Sequence, residues 1–338
     1  MSSGRGGLAA AALALIAVLL AACGPAPGAG APKAPPARTE LVFSILSAED
    51  QATTEPQWAP LIQDLSRAVG VPVRPFFASN YTALIEAMRA DQVQLGWFSA
   101  LPALQAVNRA NAEVVGRFNN DVPGGGYRAV LIVRRGSGIT LDQVLACGRR
   151  HSFGIGDAQS TSGTLAPVTY LFAPRGLTPS TCFSVVRSAS HQANFFAVAN
   201  GVVDVATNNT IEIVRATREN PALAANVEVI WRSPLLPESS VVVRRDVDPA
   251  LRARISRFFL TYGVGDSPEA ERQRRVLRAL TFNGVSPAGD HYLDPVRLMQ
   301  ATSALEEALH RSDPAAVAAA QAQVDAVRRT MTASGGGG

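Results

Sequence analysis

Short apolar runs alternate with longer amphipathic stretches along this 338-residue chain, a pattern typical of strands and helices that follow one another. Gly70 ends one predicted helix, Asn80 caps the next, and two prolines place the second strand near a sheet edge. The predicted strands are Leu41–Leu46, Val71–Phe77, Val93–Phe98, Ser152–Ile155 and Phe183–Arg187. The predicted helices are Trp58–Val69, Tyr81–Arg89, Leu251–Tyr262, Glu269–Leu280 and Asp294–Val327. This alternation predicts an α/β fold of parallel sheets covered by helices, with ligand sites at the carboxyl ends of strands.

Two strand-like segments, Tyr127–Val133 and Val241–Arg245, bracket the middle of the chain. If both cross between lobes, they form a two-strand hinge, and the length of the chain suffices for two lobes. Residues 134–238 then form an inner lobe, while residues 40–133 and 239–331 together form an outer lobe. Residues 332–338 are predicted to be a disordered tail.

The N-terminus has the pattern of an export signal. Arg5 precedes the apolar run Leu8–Leu20, which suits a secretory signal better than a membrane span. The run ends in Leu20-Ala21-Ala22-Cys23, which resembles a bacterial lipobox. We therefore expect residues 1–22 to be a lipoprotein signal peptide, Cys23 to carry a lipid, and the Pro- and Ala-rich residues 23–39 to be a flexible tether. The alternative is a plain signal peptide; either places the folded body outside the cytoplasm, in the periplasm or at the cell surface.

Composition excludes several classes of function. Apolar residues make up 47% of the chain and charged residues 17%, as in a packed globular protein. The net charge is only +4 and no basic block is interleaved with aromatics, so nucleic acid is not an expected partner. The four histidines are dispersed, so neither a metal site nor another cofactor is predicted.

Two cysteines remain once Cys23 is assigned to the lipid. Cys147 and Cys182 each precede a predicted strand, so they can meet at one edge of a sheet. In an oxidising compartment a disulfide between them is expected, with two free buried thiols as the alternative.

A candidate anion site lies between residues 153 and 165. A short strand ends at Gly156-Asp157, and three hydroxyl residues, Ser160, Thr161 and Ser162, stand where the next helix begins. The first amide groups of a helix have no intrahelical partner and lie at the positive end of its dipole. Together with the hydroxyls they suit a tetrahedral oxyanion, although one of these residues acting only as a helix cap is the alternative.

Several segments between residues 41 and 245 together resemble the substrate-binding proteins of bacterial phosphonate ABC transporters. They are Phe76–Tyr81, Asp91–Phe98, Gly156–Gly163, His191 with Ala197–Asn200, Asp204–Thr210 and Trp231–Pro237. The resemblance implies a type II periplasmic-binding fold, in which two α/β lobes joined by a two-strand hinge close on a ligand. It also implies that the phosphonate is held by Ser160, Thr161, Ser162, Tyr81 and His191, all of which can donate hydrogen bonds.

The resemblance implies capture of a phosphonate, phosphite or phosphate and its delivery to a membrane permease, by a protein expected to be a monomer without catalytic residues. An alternative is a subunit that presents the bound oxyanion to a membrane sensor. A hydrolase, with Ser160 or Ser162 as nucleophile, His191 as base and Asp204 as its partner, is disfavoured because no Gly-x-Ser-x-Gly turn surrounds either serine.

Three positions depart from family members that bind 2-aminoethylphosphonate. Phe98, Ile211 and Ser239 stand where those members have a tyrosine and two carboxylates. Glu212 and Glu238 are each one residue away and are expected to be solvated, which disfavours an aminoalkyl ligand. The sequence thus favours a small phosphonate or an inorganic oxyanion, with Phe98 and Ile211 as an apolar wall. The further ligand-binding candidates are Asn208, Glu212, Glu238 and Ser239.

Overall fold

The computed structural model of the protein describes residues 38–335. The predicted signal peptide 1–22, the lipidation candidate Cys23, most of the tether 23–39 and residues 336–338 lie outside the described residues. Within residues 38–335, no helix combines the length and the apolar character needed to cross a membrane.

The strands of the described residues form two large sheets and one small sheet. They are β1 Leu41–Ile45, β2 Val73–Phe77, β3 Leu95–Phe98, β4 Ala112–Asn119, β5 Gly126–Tyr127, β6 Ala129–Arg134, β7 Ser152–Ile155, β8 Val185–Ser188, β9 Val205–Asn209, β10 Val227–Arg232, β11 Leu236–Pro237, β12 Ser240–Arg244 and β13 Gly284–Ser286. The outer lobe contains the six-stranded sheet in the order β13-β4-β12-β3-β1-β2. The inner lobe contains the five-stranded sheet in the order β10-β6-β9-β7-β8, and the proline-containing β2 lies at a sheet edge as predicted.

Both large sheets are mixed, which corrects the expectation of parallel sheets. In the outer lobe, β1 pairs in parallel with β2 and β3, but β12 runs antiparallel to β3 and β4. In the inner lobe, β7 pairs in parallel with β8 and β9, whereas β6 runs antiparallel to β9 and β10. Two of the antiparallel strands, β6 and β12, are those by which the chain enters a lobe from the other lobe, and no helical crossover precedes them to impose a parallel direction. The third, β13, runs antiparallel to β4 at the edge of the outer-lobe sheet.

Helices cover both faces of the sheets. They are α1 Gln51–Val69, α2 Tyr81–Arg89, α3 Ala100–Arg109, α4 Leu141–Leu145, α5 Pro179–Cys182, α6 His191–Ala199, α7 Thr210–Glu219, α8 Pro221–Ala224, α9 Pro249–Thr261, α10 Pro268–Ala279, α11 Asp294–His310 and α12 Pro314–Gly335. Shorter helical turns of π or 3₁₀ type are Thr161–Leu165, Val168–Phe172, Ala173–Arg175 and Asp290–Leu293. α1 begins earlier than the apolar spacing predicts because the Asp50 side chain accepts from Thr53 N at 2.9 Å and caps it there.

The C-terminal region differs from its prediction in two ways. The single helix predicted over 294–327 is interrupted and forms α11 and α12. Residues 332–335, predicted to be disordered, continue α12, whose alanine-rich sequence favours a helix and whose Val324 is buried. α11 also contacts the inner lobe, since Thr169 Oγ1 donates to Met299 O at 3.5 Å and His310 Nε2 lies 2.9 Å from Ala173 O.

The crossings between the lobes form a small sheet of their own. β5 and β11 pair antiparallel, with Tyr127 opposite Leu236 and Gly126 opposite Pro237. The next strand, β6, is buried from Ala129 to Val133 and belongs wholly to the inner-lobe sheet. The inner lobe therefore starts at Ala129 instead of 134, because a strand that is apolar throughout needs cover on both faces.

A disulfide joins Cys147 and Cys182, the pairing predicted from the sequence. Cys147 follows α4 and Cys182 ends α5, and the strands after them, β7 and β8, are neighbours in the inner-lobe sheet. The link closes a separation of 35 residues, which favours the folded chain by restricting the unfolded one.

Candidate functional site

A cleft lies between the two lobes, and its volume, including the space open to solvent at its mouth, is about 730 Å³. Its outer-lobe wall includes Glu49, Trp58, Tyr81, Trp97 and Phe282. Its inner-lobe wall includes Ser160, Ser162, His191, Ile211, Glu212 and Arg215. The crossing segments contribute Tyr127, Glu238 and Ser239. Eight of the residues predicted from the sequence therefore line one cleft: Tyr81, Ser160, Ser162, His191, Ile211, Glu212, Glu238 and Ser239.

Four helix N-termini converge on this cleft. Tyr81 and His191 are the first residues of α2 and α6, Ser160 is the cap of the π-helical turn Thr161–Leu165, and Ile211 lies in the first turn of α7. Each N-terminus presents amide groups without intrahelical partners and the positive end of a helix dipole. The arrangement is therefore suited to a small anion.

Two glycines give the Ser160–Ser162 turn its shape. Gly156 N donates to Gly163 O at 3.0 Å, and Gly163 N donates to Ser160 Oγ at 2.9 Å. A Cβ atom on Gly156 would lie 2.5 Å from Gly163 Cα, so only glycine permits this approach. The contact folds the turn back on the end of β7 and fixes where the serine side chains lie.

His191 closes the same end of the cleft. Its Nε2 lies 3.4 Å from Ser160 Oγ and 3.2 Å from Ser162 Oγ. Burial lowers the pKa of His191 to about 4, so the imidazole is neutral at neutral pH. Asn208, a further ligand candidate, does not line the cleft: its Nδ2 donates to His191 O at 2.9 Å and holds the start of α6.

Two buried tyrosines face the serines. The Tyr81 phenol lies close to Ser160, and the Tyr127 phenol lies close to both Ser162 and Thr161. Burial raises the pKa of both phenols, so both remain protonated and can donate. Tyr127 was not among the predicted site residues. Its place at the start of the predicted crossing is the signal that could have indicated it, because a hinge strand runs past the cleft.

Thr161 does not line the cleft, so its contact with a ligand stays a prediction. Its side chain is fully buried, and Thr161 Oγ1 accepts from Leu101 N at 2.8 Å and lies 3.4 Å from Ser99 Oγ. It differs from its neighbours Ser160 and Ser162 because successive residues at the start of a helix point in different directions.

Phe98 does not form the predicted apolar wall. It is fully buried in the core with Leu84 and Met88 and does not line the cleft. Its neighbour Trp97 lines the cleft, and the Trp97 ring centroid lies 5.1 Å from the ring centroid of Trp58. Adjacent strand residues face opposite sides of a sheet, so the apolar wall is built by the tryptophans instead.

Glu212 and Glu238 are buried at the cleft, so the expectation that both are solvated is wrong. Glu212 receives two hydrogen bonds from Arg215 Nη2, at 2.6 and 2.8 Å, and one from Arg215 Nε at 2.9 Å. Arg215 Nε also lies 3.7 Å from Glu49 Oε1 of the outer lobe. Burial raises the pKa of Glu212 to about 7, although Arg215 opposes the shift. Arg215 stands three residues after Glu212, and that helical spacing is a signal that could have revealed the pair.

Glu238 differs from Glu212 in its partners. Its Oε1 accepts from Ser239 N at 2.8 Å and Ser239 Oγ at 3.1 Å, and its Oε2 accepts from Asn120 Nδ2 at 2.5 Å. Among residues 38–335 it has no cationic partner. Burial raises the pKa of Glu238, because the ionised form is poorly solvated there.

No catalytic triad is assembled around His191 in the described part of the chain. Asp204 Oδ2 accepts from Ser152 N and Ser152 Oγ, both at 2.8 Å. His191 Nδ1 is buried without a hydrogen-bond partner among the described residues, so no carboxylate orients the ring. The arrangement can bind an oxyanion but lacks the orienting group of a hydrolase.

Comparison with protein families agrees with this geometry. Residues 43–293 match the family model described as "ABC transporter, phosphonate, periplasmic substrate-binding protein". The chain is 38% identical over 258 residues to the phosphonates-binding periplasmic protein of Escherichia coli, covering 76% of this chain and 75% of that protein. It is 24% identical over 263 residues to the phosphate-import protein PhnD of Mycolicibacterium smegmatis, covering 74% and 80% of the two chains.

Solved structures show the same fold. A binding protein component of an ABC phosphonate transporter from Pseudomonas aeruginosa is 30% identical, with a TM-score of 0.83 over 87% of this chain and 98% of that chain. PhnD1 of Prochlorococcus marinus, solved in complex with methylphosphonate, is 18% identical, with a TM-score of 0.68 over 77% of this chain and 97% of that chain. The second likeness bears on the fold alone.

Proposed function

Because the chain belongs to the family of periplasmic substrate-binding proteins of phosphonate ABC transporters, we propose that it captures a phosphonate and delivers it to a membrane permease. The observation that supports this most directly is the cluster of donors at one end of the cleft. Ser160, Ser162, His191, Tyr81 and Tyr127 lie there, beside the helix N-termini. A phosphonate group offers acceptor oxygens to such donors, as do the phosphite and phosphate named for relatives of this chain.

The strength of the interaction is sufficient for capture. A hydrogen bond to a charged group contributes roughly 1.5–3 kcal/mol, and a partly buried helix terminus adds up to about 2 kcal/mol. Five donors can therefore offset an association cost of about 4–15 kcal/mol and leave a micromolar or tighter site.

One acidic residue of the cleft favours a cationic substituent on the ligand. Glu238 is buried without a cationic partner among the described residues, and Trp58 and Trp97 line the same cleft. A buried carboxylate is costly unless a cation or several donors compensate it, and aromatic faces also attract cations. A 2-aminoethylphosphonate ligand would supply the ammonium group. The argument against an aminoalkyl ligand, which rested on solvated glutamates, therefore loses its premise.

We expect the protein to bind 2-aminoethylphosphonate at least about tenfold more tightly than methylphosphonate, and Glu238→Gln to remove that preference. Loss of one partner of a buried charge pair costs about 2–5 kcal/mol, so binding of 2-aminoethylphosphonate should weaken roughly 30-fold or more. Binding of methylphosphonate should change less than about threefold, since it has no ammonium group. Isothermal titration calorimetry with both ligands, phosphite, phosphate and sulfate measures this.

The titration distinguishes an error in the ligand's substituent from an error in the proposed capture of a phosphonate. If methylphosphonate or phosphite binds more tightly than 2-aminoethylphosphonate, the oxyanion site stands and the cationic substituent is wrong. If no phosphorus oxyanion binds and the sulfate control is equally silent, capture of a phosphonate is wrong.

Lipid attachment at Cys23 is part of the proposed function, since it would keep the protein beside its permease. Support comes from the apolar run Leu8–Leu20 and the Leu20-Ala21-Ala22-Cys23 sequence that ends it. In a bacterial host, we expect the wild type to fractionate with membranes and to need detergent for release, whereas Cys23→Ala should be recovered in the soluble fraction. Recovery of the wild type without detergent would instead indicate a plain signal peptide.

A further inference from the structure

Three outer-lobe helices begin at the cleft, and each receives a hydrogen-bond acceptor from the inner lobe. Gln192 Oε1 accepts from Asp50 N, the cap residue of α1, at 3.0 Å. Asp157 Oδ2 accepts from Tyr81 N, the first residue of α2, at 3.1 Å. Thr161 Oγ1 accepts from Leu101 N, in the first turn of α3, at 2.8 Å. The three bonds join residues 142, 76 and 60 positions apart in the sequence.

These bonds satisfy amide groups that a helix cannot satisfy by itself. The need is clearest at α3, because Ser99, the residue before it, makes no side-chain capping bond in the described part of the chain. Thr161 of the inner lobe supplies the missing acceptor, to the Leu101 amide. A capping bond of this kind exists only while the two lobes are together.

The acceptors are also coupled to the cleft. Thr161 lies between Ser160 and Ser162, and Gln192 follows His191, so each acceptor is adjacent in sequence to a residue that lines the cleft. Asp157 fixes the backbone of Tyr81 itself. Neither Thr161, Gln192 nor Asp157 lines the cleft.

We infer that Thr161, Gln192 and Asp157 are positioning residues that hold the outer lobe over a bound oxyanion by capping its helices from the inner lobe. The inference rests on the proposed function, because two of these acceptors project from the Ser160–Ser162 turn and the start of α6, where the oxyanion is proposed to bind. Closure then brings Tyr81 onto the ligand, and the capping bonds stabilise that state against the open one. Thr161 therefore contributes to affinity without touching the ligand.

The test uses Thr161→Val and Gln192→Met, which keep side-chain size and remove the acceptor. A capping residue contributes enough for each variant to raise the Kd for 2-aminoethylphosphonate roughly threefold to thirtyfold. Under this inference the lobes separate when no ligand is bound and the wild type loses the bonds as well, so the thermal midpoint of each ligand-free variant should stay within about 1 °C of wild type. The radius of gyration at saturating ligand, from small-angle scattering, should be larger in the double variant than in the wild type.

Thr140→Val is a matched control, because Thr140 caps its own helix α4 within the inner lobe by accepting from Gln143 N at 3.3 Å. It should lower the midpoint with and without ligand and leave the Kd unchanged. Wild-type Kd values in Thr161→Val and Gln192→Met would overturn the inference. So would a fall in their ligand-free midpoints as large as that of Thr140→Val.

The proposed function and this inference fail in different ways. If the wild type binds no phosphorus oxyanion, the proposed function is wrong and the inference fails with it, because the capping bonds are proposed to act in the ligand-bound state. If the wild type binds an oxyanion but Thr161→Val and Gln192→Met bind it with wild-type Kd values, only the inference is wrong.

Discussion

Replacing Gly156 with alanine is expected to weaken oxyanion binding by about 100-fold or more. A Cβ atom at Gly156 would lie 2.5 Å from Gly163 Cα and 2.8 Å from Gly163 C. Both are backbone atoms, so the start of the π-helical turn must move and carry Ser160 and Ser162 with it. Each hydrogen bond to a charged ligand contributes about 1.5–3 kcal/mol, and loss of two accounts for the factor. Calorimetric titration with 2-aminoethylphosphonate measures it.

Gly148→Ala is the matched control in the same lobe. A Cβ atom there would meet only side-chain atoms of Arg150, the nearest at 3.5 Å, so no backbone has to move. We expect an unchanged Kd for this variant. Circular dichroism should show that Gly156→Ala is still folded, since overpacking of this kind costs about 1–3 kcal/mol. A folded Gly156→Ala protein with wild-type affinity would show that the ligand does not bind at this turn.

Arg215→Met is expected to lower the free energy of unfolding by about 3–5 kcal/mol, the usual cost of breaking a buried ion pair by removing one partner. The side chains of Arg215 and Glu212 are only 7% and 2% exposed. Methionine fills similar space but leaves Glu212 without its cation and Glu49 without its nearest one. Urea unfolding of the ligand-free protein measures the loss. The double variant Glu212→Gln/Arg215→Met should recover part of it, because Glu212, the more deeply buried of the two carboxylates, is then replaced by a neutral side chain.

The free energy of unfolding that Arg215→Met loses should depend on pH in a defined direction. Burial already raises the pKa of Glu212 to about 7 from a usual value of 4.5, and removal of Arg215 raises it further. Between the unfolded value and about 7 the carboxyl is protonated in both folded proteins, so wild type and variant lose the same stability from this group. Above about 7 Glu212 ionises beside Arg215 in the wild type, whereas the folded variant must keep the proton or bury a charge, so the loss caused by the substitution should be small at pH 5 and larger at pH 8. Equal losses at both pH values would contradict this account. Arg311→Met removes an exposed pair with Glu307 and should leave the unfolding midpoint nearly unchanged.

Local signals in the sequence indicated several of the elements that surround the cleft. The strand ending at Gly156, the hydroxyls after it and Asn80 before α2 are features of single segments, and the structure has β7, the π-helical turn and the cap there. The grouping of Tyr81, Ser160, Ser162 and His191 came from the family resemblance, and these residues line one cleft. Whether they hold the ligand is a matter for the titrations above.

The errors concern the direction in which a side chain points. Trp97 and Phe98 are adjacent and equally apolar, and only the register of β3 in its sheet decides which one reaches the cleft. Glu212 and Glu238 were expected in solvent because charged residues are seldom buried without a partner. Arg215 could have been found by its helical spacing from Glu212, but Asn120, which bonds Glu238 from 118 positions away, becomes visible only when the chain is folded.

The sequence by itself determined that strands and helices alternate and where several of them begin, because capping and hydrophobic periodicity act within short segments. The periplasmic-binding fold was implied by the family resemblance. The sequence also determined the donors available for an oxyanion. The tertiary structure alone decided that Thr161 caps a helix of the other lobe, that Tyr127 faces Ser162, and that Glu238 is buried without a cation among the described residues. Each of these three features requires two segments that are far apart in the chain to meet at the cleft. A local sequence pattern does not indicate which segments meet.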